Sequence, residues 1–206
     1  MANISTTAFQ DSLSLGDGGL YPFYRQQYSR QVGGTPLVRD LGDGLWRVEY
    51  TTTVVPITTA VDIEAHLMRL NGSLDWVYLY DIRRFRPKLW NGTDSLNGYT
   101  YTKIAGTLFE VTLTVPATAL SQVDYFSFDF NGVRYLHRIT EMVSATRARI
   151  WPALSMNAPN NSQIVVDKPS TKFKIDPGSV NQAMVRIEGE TKLATVSFSG
   201  IQALVA

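Results

Sequence analysis

Only two histidines are present, His66 and His137, and there is no cysteine. A thiol nucleophile, an iron–sulfur cluster and a thiolate zinc site are therefore excluded. Neither histidine has a second histidine or a carboxylate at metal-ligand spacing. No Gly-x-Ser-x-Gly elbow exposes a serine nucleophile. A carboxylate pair for glycoside hydrolysis needs only to converge in space, within ~5–10 Å. Asp75, Asp81 and Glu110 are candidates for it, and are equally good as ordinary surface residues. Gly16-Asp17-Gly18-Gly19 has neither a strand before it nor a helix after it, and lacks the Gly-Lys-Ser/Thr ending of a phosphate cradle; it reads as a flexible loop. Asn71-Gly72-Ser73, Asn91-Gly92-Thr93 and Asn160-Asn161-Ser162 match the glycosylation pattern, but without a secretory leader they read as turns. The expectation is a protein that is not an enzyme and holds no metal or cofactor.

One cluster stands out: Arg83, Arg84, Arg86 and Lys88, interleaved with Phe85 and Trp90. Basic and aromatic residues in alternation can form a platform for single-stranded nucleic acid. No matching basic face exists elsewhere, and the formal net charge is only +1, so specific nucleic-acid binding is not expected. A solvated loop is the ordinary explanation. A protein–protein contact comes next, because Arg and Trp are enriched at interface hot spots.

These residues need elements to hold them. Leu45 to Thr53 alternates as a strand, with Trp46, Val48 and Tyr50 on its apolar side. Ala60, Ile63, Leu67 and Leu70 recur at helical spacing, so one helix is expected over about residues 59–71, capped by Thr59 and stopped by Asn71-Gly72. It has a single buried stripe and should lie across a sheet. Trp76 to Tyr80 is an apolar strand, and residues 91–106 read as a long polar excursion. Phe109, Val111, Leu113 and Val115 alternate until Pro116 ends the run. The strongest local signal is Tyr125 to Phe130, then Asn131-Gly132, then Val133 to Thr140: both central turn residues of a tight hairpin need positive φ. A two-residue turn pairs Phe130 with Val133, Phe128 with Tyr135 and Phe126 with His137, and sets Asp129 opposite Arg134. His137 is thereby expected half-buried and hydrogen-bonded, and His66 at or near the surface. Further strands are expected at 147–151, 163–167, 184–188 and 192–198.

The 206 residues are 44% hydrophobic and 18% charged, enough apolar material for one large β domain or two small ones and too little charge for a disordered chain. No apolar run approaches the ~18 residues that a membrane span requires, so no membrane insertion is expected. The expected organisation is an extended arm with loops over 1–40, a β core with the helix over 41–116, and a second β portion over 117–206, the last boundary being weak. The class is mainly β, a sandwich or barrel with one packed helix and room for a second small β module. Abundant loops and aromatics around a modest core suit a subunit that gains stability by assembling with copies of itself.

The order and texture of residues 40–200 resemble those of short distal-tail proteins, the tail-tip ring or hub subunits of long-tailed bacteriophages. The likeness is carried by Leu45 to Tyr50, the helix Ala60 to Leu70, and Tyr80-Asp81-Ile82-Arg83-Arg84-Phe85-Arg86-Pro87. Phe128 to Ile139, Ile150-Trp151-Pro152-Ala153-Leu154 and Ala194 to Phe198 add to it. The resemblance implies a tail-tube-like β fold and a virion structural role at the tail tip, assembled in the host bacterial cytoplasm. Its partners would be copies of itself in a ring, usually a hexamer, with tail-tube proteins on one side and tip, hub or fibre proteins on the other. Some such proteins add a galectin-like or oligosaccharide-binding-like module that holds fibres. Subunits of a closed ring need two different complementary faces, and Thr51 to Thr53 with Thr195, Ser197 and Ser199 could supply a polar face lining the channel. A tail-tube or tail-completion subunit is the near neighbour of this reading. The alternative from another class is a carbohydrate-binding β-sandwich, whose sugar platform would be Trp90, Tyr99 and Tyr101.

Overall fold

The computed structural model describes residues 8–30, 36–115, 118–188 and 191–205. The first elements are α1 (Ala8–Ser12), β1 (Leu15–Phe23), β2 (Gln26–Arg30), β3 (Pro36–Asp40), β4 (Leu45–Thr52), β5 (Val55–Pro56), α2 (Ile57–Met68) and β6 (Val77–Tyr80). Then come β7 (Thr100–Lys103), β8 (Glu110–Thr114), β9 (Tyr125–Phe130), β10 (Val133–Met142), β11 (Arg147–Trp151) and β12 (Ser162–Gln163). The last are β13 (Ser170–Ile175), β14 (Asn181–Glu188) and β15 (Thr191–Gln202). Strands take 47% of the chain and helices 9%, so the class is mainly β, with curled, near-barrel sheets.

One sheet runs β1-β4-β15-β13-β6, with β14 and β5 also paired to β15. The other runs β12-β7-β8-β11-β10-β9. The ends of this second sheet meet, because Val165 exchanges backbone hydrogen bonds of 2.9 and 2.7 Å with Ser127 of β9 just after β12 has paired with β7. The result is a small barrel filled by Tyr99, Tyr101, Val111, Leu113, Phe126, Phe128 and Ile150. The strands of the second sheet, β7 to β12, all lie between β6 and β13 in the chain, and β8 and β9, on either side of residue 116, belong to that one sheet. Sequence separation hid this, since strands from both ends of the chain build the first sheet.

Much of the expected arm is strand. β1 pairs along β4 from Leu15↔Thr52 to Phe23↔Leu45, so the glycine cluster lies in a sheet rather than in a flexible loop. The glycines make close approach possible. A Cβ on Gly18 (φ 110°) would sit 2.0 Å from the Glu49 carbonyl oxygen, and one on Gly19 would meet the Arg83 guanidinium at 2.3 Å. β2 and β3 form a separate two-stranded ribbon. Residues 1–7, 31–35 and 116, which carry other parts of the expected arm and the Pro116 stop, lie outside the described residues.

α2 starts at Ile57, two residues before the expected cap; Pro56 stands at the N-cap and no side chain caps the helix. Proline's fixed φ sets the entry where a Thr59 side chain was expected to. The stripe Ala60, Ile63, Leu67 and Leu70 is buried in the first core, and positive φ at Asn71 (50°) and Gly72 (65°) ends the helical path. Besides the strands of the arm, β7 and β13 escaped the sequence reading. β7 sits within the polar excursion. β13 is buried at five of its six positions, so it shows no alternation for periodicity to find.

The Asn131-Gly132 hairpin has the expected register, with Phe130↔Val133, Phe128↔Tyr135 and Phe126↔His137. Asn131 (φ 50°) and Gly132 (φ 76°) supply the turn, and Arg134 Nε donates to Asp129 Oδ1 at 2.7 Å. The face that carries Asp129 and Arg134 is not polar along its whole length, because Tyr125 and Leu136 on it enter the first core. His137 is also fully buried rather than half-buried, and stacks on Phe126 and Phe128 at 5.5 Å. Its Nδ1 lies 2.8 Å from the Pro152 carbonyl, which can only accept, so Nδ1 carries the proton. Nε2 has no hydrogen-bond partner.

Burial pushes the His137 imidazole down to about 4, outweighing the Pro152 hydrogen bond that favours charge. The unfolded chain therefore takes up this proton before the folded chain does, and stability present at neutral pH is lost as pH falls from 6.5 towards 4. At ~1.4 kcal/mol per pH unit the loss is about 3 kcal/mol. Urea denaturation at pH 7 and 4.5 should show this component in the parent and not in His137→Phe or His137→Gln; equal pH slopes in all three would contradict it.

Candidate functional site

The chain leaves β6 at Tyr80 and turns through Asp81 to Trp90, the segment carrying the basic and aromatic cluster. Asp81 is 2% exposed, yet it faces a cation. Its Oδ1 accepts from the Arg83 backbone N–H at 2.9 Å and from Arg83 Nε at 3.0 Å. Its Oδ2 accepts from Arg83 Nη2 at 2.9 Å, from the Tyr125 hydroxyl at 3.2 Å and from the Leu20 N–H at 3.4 Å. Arg83 Nη2 also donates to the Leu20 carbonyl at 3.1 Å. The two-pronged ion pair thus ties the turn to β1 and to β9. The Asp81 hydrogen bonds raise the Arg83 guanidinium above its usual value, and burial, with Asp81 alongside, raises the Tyr125 phenol. Tyr125 therefore stays a donor. Arg83 is accordingly a structural pin rather than a free cation.

The other members of the cluster divide. The Arg86 guanidinium lies 4.4 Å from the Trp90 ring and 5.4 Å from Phe85, and its Nε donates to Asp167 Oδ1 at 2.7 Å. Trp90 Nε1 donates to the Asp94 carbonyl at 2.9 Å, and the Phe85 carbonyl accepts from the Lys168 N–H at 2.6 Å. Among the described residues Arg84 donates only to the neighbouring Arg83 carbonyl, at 3.1 Å. Lys88 is anchored by its backbone, which donates to Asp124 Oδ1 at 2.9 Å, while its side chain is exposed. The cluster is therefore two paired arginines, an aromatic–guanidinium stack, and two outward cations, Arg84 and Lys88. Phe85 remains 40% exposed. Arg138, from β10, escaped the sequence reading: its guanidinium stands 5.6 Å from the Tyr125 ring, close to this turn. Only the hairpin register could have found it, by placing Arg138 opposite Tyr125.

Other candidates are not brought together. His66 is exposed on α2 beside Phe9, and His137 is inside the barrel. Asp75 and Asp81 are buried rather than on the surface, and Glu110 is held below the usual carboxylate range by Arg149 and Arg147 on the barrel wall. Among the described residues no group of three or more His, Cys, Asp or Glu side chains is placed to hold a metal ion, and no helix is long and apolar enough to cross a membrane. The expected sugar platform is not formed. Tyr99 and Tyr101 are wholly buried, their hydroxyls donating to the carbonyls of Thr118 at 2.9 Å and Pro159 at 2.8 Å, and Trp90 lies beneath Arg86.

No protein-family model and no curated protein matches this chain.

Asp81→Asn leaves one acceptor oxygen where Arg83, Tyr125 and the Leu20 N–H now share two, and sets an amide N–H against those donors. Asp81→Asn should lower the unfolding free energy by about 2–3 kcal/mol. Arg83→Lys, which cannot reproduce the two-pronged contact, should cost less but still ~1 kcal/mol. Denaturation midpoints equal to the parent's in both variants would show that the pin is not structural.

Proposed function

We propose that this chain is a virion structural protein, a ring subunit of the distal-tail or hub type that links the tail tube of a long-tailed bacteriophage to its tip and works by self-assembly. The observation that carries self-assembly is the β2–β3 ribbon. Every described side chain in it is exposed, including Tyr28 at 69%, Leu37 at 54% and Val38 at 51%. Ordering a backbone costs ~1–2 kcal/mol per residue, whereas cross-strand pairs return only ~0.2–1 kcal/mol each. A two-stranded ribbon is marginal at best alone, so a second surface has to cover this one. Burying its large side chains would contribute ~1.5–3 kcal/mol apiece, enough to decide whether it is ordered.

Two further features support the ring. The outer face of the first sheet is polar, with Thr51 opposite Ser197 and Glu49 opposite Ser199, and Arg47 paired to Glu49 at 2.9 Å. Such a face suits a channel that polymers pass without sticking. Thr52 does not belong to it: it points inward, and its hydroxyl accepts from the Val196 N–H at 3.0 Å. The barrel between β6 and β13 is an insertion in the first sheet, in keeping with a tail subunit that carries an added module outward. The functional class itself rests on the resemblance in order and texture described above.

Mass photometry at nanomolar and light scattering at tens of micromolar concentration test the proposal. Closed rings, six subunits being the expected number, should form with rising concentration. The double substitution Tyr28→Ser, Val38→Ser should weaken assembly by at least tenfold while leaving the unfolding midpoint of the monomer unchanged. A monomer at every concentration, or assembly indifferent to the ribbon, would contradict it.

A further inference from the structure

Beside the pinned turn lies a pocket of about 240 Å³ lined by Asp81, Arg83, Arg84, Val123, Tyr125 and Arg138. It meets a second hollow of about 220 Å³ at Val123 and Arg138, whose walls include Pro22, Tyr24, Trp46 and Trp151. The two form one groove with unlike ends.

At the first end the charges do not balance. Asp81 is used up by Arg83, leaving Arg84 and Arg138 facing the same space with no carboxylate partner among the described residues. Two guanidiniums that line one pocket without a carboxylate partner favour an oxyanion in it. The nearby Glu141 does not serve, since it pairs with Arg149 at 2.7 Å. Asp124 is buried and occupied by Ser121 and the Lys88 N–H.

The other end is aromatic. Tyr24 is 57% exposed and lies 5.5 Å from Trp151, which in turn packs on Trp46 at 4.5 Å. Trp46 is fixed by its indole N–H, which donates to the Leu136 carbonyl at 2.9 Å. The slot is therefore preformed, with a rigid floor and one exposed wall. Between the two ends sits Val123, with φ of 80°, a conformation that β-branched residues rarely adopt. Its N–H is held by the Ile139 carbonyl at 2.9 Å, which presents its side chain to both halves of the groove.

We propose that this groove binds an acidic peptide segment of a partner protein, with a carboxylate between Arg84 and Arg138 and a neighbouring apolar or aromatic side chain in the Tyr24–Trp151 slot. Charge complementarity selects the carboxylate, and the adjoining aromatic hollow distinguishes a peptide from a free anion. The inference does not depend on the ring reading, because the groove is lined by residues of a single chain and includes none of the ribbon's exposed apolar side chains.

The test is a library of labelled heptapeptides, Gly-Ser-X-Z-X-Ser-Gly, with X as Asp, Glu, Asn, Gln or Lys and Z as Phe, Trp, Leu or Gly, read by fluorescence polarisation against the full chain. Members with acidic X and apolar Z should bind at least tenfold tighter than their amide or Gly counterparts. Binding should fall at least tenfold in Arg84→Ala, Arg138→Ala, and separately in Tyr24→Ala, with thermal melts confirming that each variant is folded. Equal binding of acidic and amide peptides, no binding by any acidic member, or saturation by inorganic phosphate as tight as by the best peptide would overturn the proposal. Ring formation unchanged in these variants would leave the ring reading intact while the groove is judged on the peptides alone.

Discussion

The rest of the structure depends on a hairpin that packs into a different core on each of its faces. Phe126, Phe128 and His137 fill the barrel, while Tyr125 and Leu136 on the opposite face belong to the core of the first sheet. Trp46 locks the seam, its ring 5.4 Å from Tyr125 and its N–H on the Leu136 carbonyl. Thr171 of β13 adds a hydrogen bond of 2.7 Å to the Arg134 carbonyl. Lys172, 4% exposed, gives its ammonium to the carbonyls of Gly132 and Val205 at 3.0 and 2.7 Å and lies over Trp76. A buried ammonium without such acceptors would be strongly unfavourable, so these contacts fix how the two sheets meet.

That junction explains where the exposed chemistry lies. The Asp81–Arg83 pin reaches from the end of β6 to Tyr125 on the hairpin and to Leu20 on β1. With Asp81 engaged by Arg83, Arg84 has no carboxylate partner among the described residues and lines one pocket with Arg138, which the hairpin register sets opposite Tyr125. The groove is thus a consequence of the seam, not of any local motif. The β2–β3 ribbon is the opposite case: its backbone pairing is regular, but its described side chains are exposed and none of them belongs to either core, which is why the proposal has a second copy cover it.

What was legible in the sequence was local. Asn131-Gly132 between alternating segments gave a register correct pair by pair, and the spacing of Ala60, Ile63, Leu67 and Leu70 gave the buried face of the helix. Trp46, Val48 and Tyr50 face inward as their alternation requires. Long-range pairing was not legible. β1 looked like a loop because its glycines carry no hydrophobic pattern, and β13 gave no period because it is covered on both sides. The basic cluster was visible as composition, but its division into pinned, stacked and free cations follows from Asp81, Asp167 and Trp90, whose geometry spacing cannot supply. Tyr99 and Tyr101 beside Asn-Gly turns suggested exposure, and the closure of the barrel buries both.

The central claim, that the bare ribbon is completed by another copy of the chain, is tested most directly by hydrogen exchange at its backbone amides as a function of protein concentration. Slow exchange over 26–30 and 36–40 should emerge only where the chain assembles, while β9 and β10 stay protected throughout. A ribbon equally protected in the dilute monomer, or equally exposed in the assembly, would contradict it.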